Sequence, residues 1–190
     1  MISYSGFRLR DTVSRVIPAA LFLIFLIYEY SNIIFQEPQL NGTVLIFLIV
    51  ILSYPIGLIS EVLALNIVHF LVKPTKRLSD AALIKKYLNC TVKGFWNRYI
   101  KIYSTGKPEL LNILDHYNLV RFFFLNMSFL FLLALIFHSV HSRVVFDSIN
   151  IVLAPFVVLF INYYFTHQEA YYYVAGTINK TINGDETFNE

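Results

Sequence analysis

Long apolar blocks separated by short polar interruptions dominate the chain, with little of the two-residue alternation that marks a half-buried strand. Four blocks stand out: Val16 to Phe35, Val44 to Leu63, Leu119 to Phe137 and Ile149 to Phe165. Each is a near-continuous run of Leu, Ile, Val and Phe. Each also approaches the roughly 20 residues that a helix needs to cross a hydrocarbon layer about 30 Å thick. Strands of a membrane barrel would give shorter, alternating runs. The pattern therefore predicts an all-α integral membrane protein with four transmembrane helices. Arg8, Arg10 and Arg15 precede the first block as they would in a signal peptide. The following Tyr28-Glu29-Tyr30-Ser31-Asn32 offers no small-x-small cleavage site, so the block reads as a retained anchor.

Between the second and third blocks lies a stretch too long for a tight turn and too apolar for a disordered linker. It divides the chain into an N-terminal segment with one transmembrane hairpin (residues 1–72), a cytoplasmic helical segment (73–118), and a second hairpin with a C-terminal tail (119–190). Ser79-Asp80 has the chemistry of a helix N-cap. Beyond it, Leu83, Tyr87 and Thr91 share a face, while Lys85, Lys86 and Lys93 fall largely elsewhere. Gly94 is expected to interrupt this helix. From Phe95 to Tyr103, aromatics including Trp96 interleave with Arg98 and Lys101, as in an interfacial element. Pro108 is suited to open a new helix, one expected to run unbroken into the third span.

Composition reinforces the membrane reading. Hydrophobic residues make up 57% of the chain and charged residues 14%, against about 25% charged in ordinary globular domains. The mean hydropathy is +0.61. Cys90 is the single cysteine, which excludes an intrachain disulfide and any cysteine-based zinc spacing. Charge placement says more than net charge. Of the 15 basic residues, all but Arg143 lie in the N-terminal segment, the stretch between spans two and three with Arg121 at the entry to span three, or the C-terminal tail. Under the positive-inside rule those parts are cytoplasmic, which predicts a multi-pass protein of the cell inner (plasma) membrane with both termini inside.

Ionisable groups within spans are costly and are functional candidates by default. Glu61 shares a helical face with Tyr54, Gly57 and Ala64, whose small residues allow close approach of another helix. Arg121 enters span three from the cytoplasmic side, and an ion pair with Glu61 is expected to join spans two and three. That pair is either structural or part of a proton, ion or gating path. Asn126 and Asn162 are expected to hydrogen-bond across helices. At the outer end, Glu29, His138, His141 and Arg143 form either a pH- or ion-responsive lid or a set of side chains solvated at the headgroup layer. Lys85, Lys86, Trp96, Arg98 and Lys101 are the candidates for contact with a partner or with lipid.

Enzyme signatures are missing: the sequence has no G-x-S-x-G, H-E-x-x-H, P-loop or G-x-G-x-x-G. An Arg-x4-His nuclease pattern occurs only in reverse, from His116 to Arg121. No catalytic residue, metal site or cofactor is predicted. Nucleic acid is not the expected partner of the basic stretch, because attraction to anionic lipid accounts for it.

Tyr54-Pro55-Ile56-Gly57 with Glu61, the run Arg121 to Ser128, and the aromatic exit Tyr163 to Tyr173 give the chain a recognisable layout. It resembles small four-span bacterial inner-membrane proteins of antiviral defence systems, such as the membrane subunit of Kiwa. The resemblance is one of layout, and no functional residue is carried over by it. It implies a sensor or anchor that oligomerises and recruits a cytosolic partner. Two functions are therefore carried forward. One is a non-enzymatic sensor/anchor module that forms a homo-oligomer and docks a cytosolic protein. The other is an oligomeric pore or ion-conducting effector.

Overall fold

The computed structural model describes residues 12–30, 42–72, 79–95, 97, 108–142 and 148–183, and these are helical apart from short caps and turns. A π-helical turn, Thr12–Val16, leads directly into α1, Ile17–Glu29. The remaining helices are α2, Gly42–Val72; α3, Asp80–Leu88; α4, Pro108–Ser142; and α5, Ser148–Asn183. Among the described residues there is no strand. Three helical stretches are long and apolar enough to cross a membrane: Gly42–Val68, Asn112–Ser142 and Ser148–Ile182. The first predicted span is described over the 13 residues of α1 and the turn before it.

Helix α4 is the axis of the fold. Its central run, Leu125 to Leu130, is buried throughout. Helix α1 lies parallel to it, meeting Asn126 through Ser14 and His138 through Glu29. Helix α5 is antiparallel to α4. Phe124 stacks on Phe160 and Tyr163, and Phe131 meets Phe156 and Phe160, so the two helices mesh through aromatic rings. Helix α2 turns Ser53, Gly57, Ser60 and Ala64 inward, small residues at positions i, i+4, i+7 and i+11. Its outward face carries exposed Ile46, Phe47, Val50, Ile51, Ile59 and Val62. A soluble monomer does not present so large an apolar surface, and lipid is its natural solvent.

Below the apolar bundle lies a second core. Helix α3 starts at Ser79, whose hydroxyl accepts from the Ala82 amide at 3.3 Å, as the sequence predicts. It packs Leu83, Ile84 and Leu88 against Leu114 of α4 and against Tyr171, Tyr172, Ala175 and Ile178 of α5. The helix ends earlier than expected. Asn89, with φ at 50°, adopts the left-handed conformation that closes helices and that Asn tolerates, five residues before Gly94. A short helical turn at residues 92–95 follows, started by Thr91, whose hydroxyl accepts from the Gly94 amide at 3.1 Å. That turn buries Phe95 edge-on against Tyr172, with ring centres 5.6 Å apart. Phe95 is thus a core residue and not a lipid-facing one. Trp96, Arg98 and Lys101 lie outside the described residues.

Helix α5 approaches α3 most closely at Gly176, where an added Cβ would fall 2.5 Å from the Tyr87 carbonyl oxygen. We expect Gly176→Val to push α3 off α5. Hydrogen exchange across residues 80–88 should speed up several-fold while exchange in α4 near Leu125 stays unchanged.

Candidate functional site

The polar groups within the bundle converge where the π-helical turn meets α2 and α4, and Pro18 explains why. A proline has no amide hydrogen, and its ring crowds the carbonyl four residues earlier. That carbonyl belongs to Ser14. Ser14 is buried, so such a carbonyl must find a donor within the protein. Asn126 supplies it: its Nδ2 donates to the Ser14 carbonyl at 2.7 Å, while its Oδ1 accepts from the Ser60 hydroxyl at 2.9 Å. The Ser60 hydroxyl also lies 2.9 Å from the Gly57 carbonyl. Asn126 and Ser60 are buried, so one amide ties the N-terminal turn to α2 and α4.

Gly57 makes the crossing possible. A Cβ there would fall 2.7 Å from the Arg15 carbonyl carbon, too close for any side chain. One turn further along α2, Glu61 receives the Arg15 side chain. Nε donates to Oε2 at 2.8 Å and Nη2 to Oε1 at 3.2 Å, the two-pronged geometry that suits guanidinium and carboxylate. The side chains are 16% and 12% exposed.

The cation paired with Glu61 is therefore Arg15, and not Arg121 as the sequence suggested. The misassignment has a physical cause. Arg15 stands immediately before an apolar run and reads as an orientation signal, whereas the bare Gly57 lets that turn lie close against α2. Arg121 is held elsewhere. Its Nε donates to Asn118 Oδ1 at 2.9 Å, and its guanidinium lies 4.2 Å from the Tyr171 ring centre and 4.8 Å from that of Phe122. Arg121 thereby joins α4 to the second core. Asn162 does not join the Asn126 network; it is exposed on α5, its carbonyl accepting from Thr166.

Two clusters went unrecognised in the sequence. At the start of α3, buried Gln168 donates to Asp80 at 2.7 Å. At its end, Glu169 Oε1 accepts from Lys86 at 2.7 Å and from the Tyr87 hydroxyl at 2.5 Å. The hydrogen bond to Glu169 raises the Lys86 pKa. The paired signals were present as Asp80 with Lys86-Tyr87 and Gln168-Glu169, but nothing local links segments more than eighty residues apart. Lys85 and Lys86 are exposed beside this clamp.

Of the predicted outer cluster, Glu29 and His138 meet, Nδ1 to Oε1 at 2.8 Å, with each side chain 7% exposed. His141 packs instead on Tyr30, ring centres 4.9 Å apart. Arg143 lies outside the described residues. Among the described residues, no group of three or more His, Cys, Asp or Glu is arranged to hold a metal ion.

No family model, curated protein or solved structure matches the chain.

The Arg15–Glu61 pair is partly shielded from solvent, so removing one member costs less than the roughly 3–5 kcal/mol of a fully buried pair. We expect Arg15→Leu and Glu61→Leu each to lower stability measurably in detergent. The double variant should fall well short of the summed losses, whereas Glu61→Leu with Arg121→Leu should be additive. Asn126→Leu removes two interhelical hydrogen bonds of about 0.6 kcal/mol each. It should weaken the bundle measurably without unfolding it.

Proposed function

We propose that the chain is a non-enzymatic membrane anchor or sensor module that docks a cytosolic protein on its second core. The observation that carries this reading is the docking of α3. Its apolar face is consumed by α4 and α5, so it is not an amphipathic helix awaiting a bilayer. Its outward surface presents Lys85, Lys86 and, just beyond, Lys93, all exposed. A folded, cationic platform fused to spanning helices suits an acidic protein surface, with anionic headgroups as a second contact.

In this reading the first apolar block forms a fourth span. Burial of Pro18 and Ala19 against the rest of the bundle supports that assignment. The distribution of Lys and Arg supports cytoplasmic termini and a cytoplasmic second core in the inner membrane. Self-assembly through the exposed α2 face belongs to the same proposal. An antiviral setting rests on resemblance of layout alone.

The pore reading finds less support. Glu61 and Asn126 are engaged within one chain, whereas a pore built from several copies would turn such groups toward a shared axis.

Full-length protein purified from its native membrane tests both readings. We expect a cytosolic partner to co-purify stoichiometrically, to be lost from Lys85→Glu/Lys93→Glu, and to leave planar bilayers electrically silent. Ion conductance whose selectivity changes in Glu61→Gln, with no bound partner, would replace the anchor with the pore.

A further inference from the structure

Arg121 stands where α3, α4 and α5 meet, and its surroundings supply rings and an amide but no anion. Asn118 accepts from Nε at 2.9 Å. The guanidinium carbon lies over the rings of Tyr171, Phe122 and Tyr172, at 4.2, 4.8 and 5.8 Å. A ring face attracts a cation but carries no net charge to neutralise it. Among the described residues, no carboxylate forms an ion pair with Arg121. Glu61 is taken by Arg15, and Glu169 by Lys86 and Tyr87. Asp80 acts on the guanidinium from α3, with the Tyr172 hydroxyl in reach of both, but it accepts instead from Gln168 at 2.7 Å. We infer that Arg121 binds a phosphate group, supplied either by a phospholipid headgroup or by free phosphate.

The chemistry of the cation suits that ligand. Asn118 fixes the guanidinium through Nε, and phosphate oxygens accept from its terminal nitrogens in the two-pronged geometry that a planar guanidinium offers. The residue is partly exposed, which leaves a ligand a way in. Asp80 opposes an anion here, but it is exposed, and the surrounding water and salt screen much of that opposition.

Depth suits it as well. Phe124 meets Tyr163 and His167, and Arg121, nearer the second core, meets Tyr171. The fourth apolar block ends at Phe165, two residues before His167 and six before Tyr171. At 1.5 Å per residue the guanidinium lies about 3–9 Å beyond that end. The polar layer on each side of a bilayer core is roughly 5–8 Å thick. In the spanning arrangement proposed above, Arg121 therefore stands among headgroup phosphates. The lipid as source rests on that reading, while the phosphate site is a property of one chain.

Full-length protein in detergent, stripped of lipid and measured by native mass spectrometry, provides the test. The probes are dioleoylphosphatidylglycerol, dioleoylglycerol (the same tails without phosphate) and inorganic phosphate. Wild type should bind phosphatidylglycerol, and Arg121→Gln should bind it about tenfold more weakly, as expected for the loss of one charge-assisted hydrogen bond. Lys85→Gln, exposed elsewhere on the second core, should bind it as wild type does. Inorganic phosphate separates the sources. If it leaves the lipid in place, the headgroup is the ligand; if it displaces the lipid and itself depends on Arg121, the ligand is a soluble phosphate. Binding of neither phosphate probe, undiminished binding in Arg121→Gln, or equal binding of dioleoylglycerol overturns the proposal.

Wild-type protein alone gives a second measurement should Arg121→Gln fail to fold. Butanedione modifies accessible guanidinium groups, and its reaction at Arg121 can be followed by peptide mass spectrometry. That reaction should slow several-fold with the phosphate probe that binds, and not with dioleoylglycerol. A rate unchanged by either phosphate probe overturns the site. None of these readouts involves a cytosolic partner, so failure of the docking reading is distinguishable from failure of this one.

Discussion

A buried carbonyl has no water to accept from, and Pro18 deprives the Ser14 carbonyl of its usual donor four residues on. Much of the bundle can be understood as the answer to that constraint. Asn126 turns its amide to the carbonyl, Ser60 satisfies the other end of that amide, and Gly57 stays bare so that the Arg15 backbone can come close enough. Once the turn is seated, Arg15 lies against Glu61, and two costly charges cancel. None of these contacts is large in energy by itself. They depend on one another, because Ser14, Ser60 and Asn126 are buried and the Arg15–Glu61 pair is largely shielded beside them. Apolar packing cannot fix the register among three helices whose lipid-facing alternatives are equally greasy, and the polar node can.

Helical class, the unbroken helix from Pro108 and the Ser79 cap were legible in the sequence, because each rests on a local rule. Length and apolarity mark the helices, and a hydroxyl three residues before an amide marks the cap. Gly57 and Ala64 of the inward face of α2 were legible for the same reason, whereas Ser53 and Ser60 beside them were not. The cation paired with Glu61 was not. Arg121 and Arg15 both stand at the edge of an apolar run, and only the seating of the N-terminal turn separates them. Proline's effect on residue 14 is itself a local rule, but finding Asn126 as the donor requires knowing that positions 14 and 126 share a level. Gln168 and Glu169 were obscured differently. They follow the fourth apolar block and read as its exit, whereas α5 continues to Asn183 and carries them against α3.

The two ends of the bundle differ in kind. Toward the second core, α4 and α5 outrun the apolar zone and support a small soluble-type core of Leu83, Ile84, Phe95 and Tyr172. Water-driven burial stabilises that part. At the far end, the helices close on Glu29 and His138, with Tyr30 and His141 above. The contacts described there are polar and aromatic.

Helix α4 touches both. It is 35 residues long and carries His138 near one end and Leu114 near the other. At 1.5 Å per residue, its length is about 50 Å. A rod of that length converts angle into distance: pivoting by about 5° at one end displaces the other by roughly 4 Å. Arg121, 17 residues from His138 and so about 25 Å along the rod, would move by roughly 2 Å, about half of the 4.2 Å that separates its guanidinium from the Tyr171 ring centre. A small change of angle at the Glu29–His138 end thus reaches the other end of the helix as a larger displacement.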